Sequence, residues 1–133
     1  MLVTPCDLVH RSSPNYPPIF HALGGHLKEN DIVYTIATGE IIRFRWNEHK
    51  ALLNQRKHHV SFEQAISVWS DRLAVEFNDL SMVDEPRYIR RGFDLDRNLL
   101  IVVFAEWIAE DLIRIISARR ATLRERKQHE ERV

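Results

Sequence analysis

The chain has 133 residues, and its 19 Lys+Arg balance its 19 Asp+Glu. That length suits one domain with a real core, and a net charge of zero argues against broad, non-specific nucleic-acid binding, so any phosphate site must be local. No apolar run reaches the roughly 18 residues of a transmembrane helix, and the N-terminus lacks the basic flank and apolar segment of a secretory signal.

Cys6 is the sole cysteine and cannot form an intrachain disulfide, which fits a cytoplasmic chain in a reducing compartment. The cations are lopsided, with fifteen Arg against four Lys. Arg suits bidentate phosphate contacts and stacking on bases, although a GC-rich genome produces the same bias.

Residues 1–40 hold most of the prolines and glycines and show little periodicity. They are expected to form a loop-rich, weakly ordered extension, with residues 32–36 as one short candidate strand. His10, His21 and His26 are too irregularly spaced to suggest a metal site. Residues 41–133 are expected to form the domain proper.

Residues 41–46 read as a strand. Asn47 can cap a helix running to Lys57, with Leu53 and one of Ala51 or Leu52 facing inward. His59 falls where a helix commonly ends in left-handed geometry. Ser61 and Gln64 form a capping box for a second helix, with Val60 stapled onto Ala65, whose apolar face is Phe62, Ala65, Ile66 and Trp69. Leu73, Val75 and Phe77 alternate as in a half-buried strand. A polar loop follows, then strands at 87–93, 99–104 and 112–117, the middle one apolar enough to be central. Thr122 and Glu125 form another capping box and open a final helix whose charged tail looks solvated. The expected class is α+β, in the order β-α-α-β-β-β-β-α, with a small, mostly antiparallel sheet packed with helices.

Phe44-Arg45-Trp46-Asn47-Glu48-His49-Lys50-Ala51, Asn54, the run 57–65, Arg87-Tyr88, the run 113–119, Ala121-Thr122 and Glu125-Arg126 occur in an order that resembles the BrnT toxin family. The resemblance covers about residues 41–130 and leaves the first forty outside. It implies a RelE-like fold, a ribonuclease toxin, a BrnA-like ribbon-helix-helix antitoxin as partner, and contact with operator DNA only through the toxin–antitoxin complex. Many relatives carry Gly at His59, Arg near Trp107 and Tyr at His129, so the catalytic set is where this chain departs most.

RNA cleavage without a metal uses the ribose 2′-hydroxyl as nucleophile on the adjacent phosphate. It needs a base for that hydroxyl, cations for the negative phosphorane and an acid for the leaving 5′-oxygen, and it yields a 2′,3′-cyclic phosphate. His58 is the group that titrates near neutrality. Lys57 can stabilise phosphate charge or act as a base. Arg87 and Arg119 are the expected phosphate clamps, and Ser117 can orient a substrate oxygen. His59, Arg91 and Arg126 are expected substrate contacts. No cofactor is expected.

Each residue also has a structural reading. Lys57 and His58 suit a helix C-terminus, where cations favour the macrodipole. Arg87 can pair with Glu85 or Glu106, and Ser117 and Arg119 can be connectors. Two other functions fit the chain less closely. One is a non-catalytic module that binds an antitoxin and supports operator repression. The other is a metal enzyme using His58, His59 and His129, disfavoured because adjacent histidines rarely ligate one ion.

Overall fold

The computed structural model describes residues 31–36, 39–81, 84–107 and 111–132. Cys6, His10, His21 and His26 lie outside the described residues. Six strands form one sheet: β1 (Ile32–Thr35), β2 (Ile41–Arg45), β3 (Val75–Asp79), β4 (Arg87–Phe93), β5 (Leu99–Trp107) and β6 (Leu112–Arg120). Their spatial order is β1-β2-β6-β5-β4-β3. All neighbours are antiparallel except β2 and β6, where Arg43, Phe44 and Arg45 lie beside Leu112, Ile113 and Arg114. Among the described residues, three helices accompany the sheet: α1 (Glu48–His58), α2 (Phe62–Ile66), which tightens into a 3₁₀ turn at Ser67–Ser70, and α3 (Leu123–Arg132). The architecture is α+β, in the expected order with one strand added at the front.

β1 falls within the candidate strand at 32–36. Ile32, Val33 and Tyr34 are fully buried, and Asp31 accepts from Arg45 Nε and Nη2 at 2.6 and 3.1 Å. Residues 32–35 pair with β2 as an edge strand of the sheet.

The caps follow the sequence closely. Lys50 N donates to Asn47 Oδ1 at 3.0 Å, and His59 ends α1 with φ of 59°. Thr122 N donates to Glu125 Oε1 and Glu125 N to Thr122 Oγ1, closing a reciprocal box at the start of α3. The box at α2 is half made. Gln64 N donates to Ser61 Oγ, but the Gln64 amide donates to Asp94 in the β4–β5 turn instead of folding back.

One face of the sheet carries the core. Leu100, Val102 and Phe104 of β5 pack with Ile113, Ile115 and Ala118 of β6 beneath Phe62, Ala65, Ile66 and Val68. Edge-to-face rings link Tyr34, Phe44, Trp69 and Phe104 across four elements, and such pairs add about 0.5–1.5 kcal/mol each beyond area burial.

Two expectations about packing are corrected. Leu52 and Leu53 are 57% and 48% exposed, while Asn54 is buried and Ala51, the other inward candidate, packs against the core. The cause is that α1 lies along a strand edge and not over the apolar face. Beyond Arg114, β6 has no strand neighbour on its β2 side among the described residues. There Asn54 Nδ2 donates to the carbonyls of Ala118 (2.8 Å) and Val60 (2.9 Å), and Ala118 N donates to Asn54 Oδ1 (3.1 Å). One carboxamide thus satisfies a strand edge as a neighbouring backbone would. The strand at Leu73 and Phe77 also differs: β3 starts at Val75 and is an edge strand, leaving Leu73 58% and Phe77 43% exposed.

Candidate functional site

The second face of the sheet is set by strand alternation and one interruption. Val103 lies opposite Ser117, but Phe104 lies opposite Ile115, so Ile116 is an extra residue in a bulge. With Ile115 and Ala118 both in the core, Arg114, Ser117 and Arg119 all project from the opposite face. Without the bulge, Arg114 and Arg119, an odd number of residues apart, would point to opposite sides. Ile101, Val103 and Ala105 of β5 and Arg87, Ile89, Arg91 and Phe93 of β4 share this second face. The helix α3 covers one end of it, where His129 is buried against the Phe93 ring.

The end of α1 reaches this face around the sheet edge. His58 is one helical turn beyond Asn54 and therefore on the same side of the helix, towards β6. Lys57, Arg119 and His59 all act on its charge. The His58 pKa is lowered from its ordinary value, first by burial and then by the positive charges of Lys57, Arg119 and His59. The structure thus gathers Lys57, His58, His59 and Arg119, with Ser117 two residues before Arg119 on the same strand face.

Arg119 has a partner the sequence reading assigned only to capping. Its Nη1 and Nη2 donate to Glu125 Oε1 and Oε2 at 2.7 and 2.9 Å, and Nη1 also donates to the Arg120 carbonyl. The pair holds the Glu125 carboxyl down at about 2, chiefly through the Arg119 hydrogen bonds. The end-on fork is occupied, so the side-on fork of Nε and Nη2 remains to take a phosphate. The only sequence signal for this role was that a capping carboxylate stands six residues after a candidate clamp.

Arg87, Arg91 and Arg126 are not brought to this cluster. Tyr88 pairs with Phe104, so Arg87 stands level with Ala105 and Arg114. Arg119 stands level with Ile101, four residues away, which is about 13 Å along an extended strand. Arg91 is 8% exposed and donates from Nε to His129 Nδ1 at 3.2 Å. This also corrects the view of α3 as solvated throughout, since His129 is 1% exposed. Arg126 lies over the Phe93 ring and lines a separate recess of about 260 Å³ with Asn98, Leu99, Arg120 and Ala121. Among the described residues, no three His, Cys, Asp or Glu side chains are placed to hold a metal ion.

Residues 46–125 match the family model described as the ribonuclease toxin BrnT of type II toxin–antitoxin systems. The chain belongs to the BrnT family. The match spans every element from α1 to the start of α3, including the His58 and Arg119 cluster. A solved structure of the ribonuclease toxin BrnT from Brucella abortus is 22% identical, covering 58% of this chain and 92% of that one, with a TM-score of 0.43. No curated protein matches the chain. In this BrnT-family chain, no helix among the described residues is long and apolar enough to cross a membrane.

Proposed function

We propose that this chain is a metal-independent endoribonuclease whose cut is made at the His58–Arg119 cluster. The observation that supports it best is a neutral-leaning imidazole beside a guanidinium with an open fork. His58 takes the proton of a ribose 2′-hydroxyl, and that oxygen attacks the adjacent phosphorus. Arg119 and Lys57 stabilise the charge on the phosphorane oxygens. The bond from phosphorus to the 5′-oxygen breaks, and the leaving oxygen takes a proton from the Lys57 ammonium. The products are a 2′,3′-cyclic phosphate and a 5′-hydroxyl. Ser117 orients a non-bridging oxygen, and His59 flanks the site as a substrate contact.

The family supports an antitoxin partner. A BrnA-like ribbon-helix-helix protein that covers the cluster, and reaches operator DNA as a complex, is the form this reading takes. The RelE-like label and a cytoplasmic location belong to the same proposal.

The test is cleavage of an end-labelled RNA in chelator, with His58→Ala and Arg119→Ala beside the wild type. Each variant should lose about 100-fold or more in rate, the typical cost of removing one working group from such a site. Wild-type cleavage that survives both substitutions would remove the site assignment. A folded wild type that cleaves nothing and is harmless when expressed would instead favour a non-catalytic antitoxin-binding module.

A further inference from the structure

Away from the His58 cluster, the second face holds a group of cations that the cleavage chemistry does not use. Arg87 and Arg114 flank Ala105 on neighbouring strands, and Ala105 is too small to separate them. Each has a buried Nε with no hydrogen-bond partner among the described residues. Arg114 Nη2 is held by Glu85, and Asp79 stands level with Arg87 on β3. Next along the face, Trp107 lies under two guanidiniums, with Arg45 at 5.6 Å and Arg114 at 5.8 Å from the ring centre. Trp107 is 38% exposed although its ring is large and apolar. Between these residues and Arg119 run Ser117, Val103 and Ile89, all half-buried. The open part of the face is therefore a half-buried floor of Ile89, Val103 and Ser117 with arginines at both ends.

A buried guanidinium nitrogen without an acceptor is costly, and an arriving anion removes that cost. Two guanidiniums in register on either side of a small residue, each half-buried overall, suit a tetrahedral anion. An exposed indole beside them suits a nucleobase, because stacking on an aromatic ring needs no particular base. Repeating phosphates with bases between them are the property of a single-stranded nucleic acid. The separation of about 13 Å from the Arg119 row places this anion site on a different phosphate from the one cleaved.

We infer that the open half of the second face is the track for the RNA strand flanking the cut: Arg87 and Arg114 hold a neighbouring phosphate, and Trp107 stacks a base beside it. This rests on the ribonuclease reading for the identity of the strand. It reassigns Arg87 from the cleaved phosphate to a flanking one, and it gives Trp107 the place of a stacking platform.

The test is binding of a fluorescent, uncleavable RNA carrying 2′-deoxy sugars, titrated by anisotropy over a range of salt concentrations. The Arg87→Gln, Arg114→Gln double variant should bind more than tenfold more weakly. Its slope of log affinity against log salt should fall by about 0.7, the value for one phosphate contact on a single strand. Trp107→Ala should weaken binding roughly tenfold with the slope kept. Glu85→Gln releases Arg114 and should tighten binding, a gain that a folding defect cannot produce. An unchanged affinity and slope in the double variant, or no binding by the wild type, would overturn the track. His58→Ala separates the two ideas: if it still cleaves while the arginine variants change the slope as stated, the catalytic assignment falls and the track stands.

Discussion

His58 and Glu125 carry the chemistry of single residues in opposite senses. Burial and three neighbouring cations lower the His58 pKa, so its imidazole is neutral and able to accept a proton at neutral pH. If it is the base, kcat should rise with pH along a limb whose midpoint lies below the ordinary 6.5 of histidine. A midpoint above 6.5 in the pH–rate profile would rule out this environment. Glu125 is held at about 2, well under its ordinary 4.5, by Arg119. Its ionised form therefore stabilises the fold fully above pH 4.5, and that contribution drains away as pH falls from there towards 2. Glu125→Gln should flatten acid unfolding in that window while leaving stability above it nearly insensitive to pH. Lys57, His58 and Arg119 were marked as candidates by residue type and by the family resemblance, while their electrostatic proximity depends on the fold. The second role of Glu125 was not, since it depends on how residues 121 and 122 turn the carboxylate back onto the strand.

At the scale of the element, caps were legible and packing was less so. Asn47, His59 and the Thr122–Glu125 box use local geometry, which the sequence specifies directly. On α1, Ala51 was among the residues read as inward and packs against the core, but Leu53 was misplaced and Asn54 missed, because a helix on a strand edge needs a polar contact where a helix on a sheet face needs a leucine. The bulge at Ile116 was equally hidden: it changes which residues share a face without changing the apolar pattern. Gly92 shows how tightly the other side is built. A Cβ there would come within 2.8 Å of both Ala74 Cβ and Val68 Cγ1, and 3.0 Å of Asp71 Oδ2. Asp71 Oδ2 also accepts from Phe93 N at 2.8 Å, so it has little room to move. Gly92→Ala should cost about 1–3 kcal/mol through overpacking. Thermal unfolding should show a midpoint lower by several degrees, and an unchanged midpoint would mean that the 3₁₀ turn yields easily.

The whole molecule is neutral by formal charge, and the arginines of the second face stand beside acids: Arg45 by Asp31, Arg114 by Glu85, Arg119 by Glu125, and Arg87 level with Asp79. Glu40, Glu76, Glu106 and Asp111 line a recess of about 380 Å³ that also contains Arg90. The sheet order was beyond the sequence, because the β2–β6 pairing joins strands nearly seventy residues apart. That pairing stops at Arg114, and Asn54 takes over the exposed edge beyond it. Asn54→Ala would strip the buried partners of Ala118 and Val60, at about 1–3 kcal/mol for each group left unsatisfied. The larger effect should be on solubility. An unguarded strand edge is a template for another chain, so the variant should self-associate as concentration rises, visible as growing light scattering or faster sedimentation. A variant that melts earlier but stays monomeric at every concentration would show that the helix backbone alone shields the edge. One amide side chain would then count as a stabilising contact only, and not as the guard that keeps copies of this protein apart.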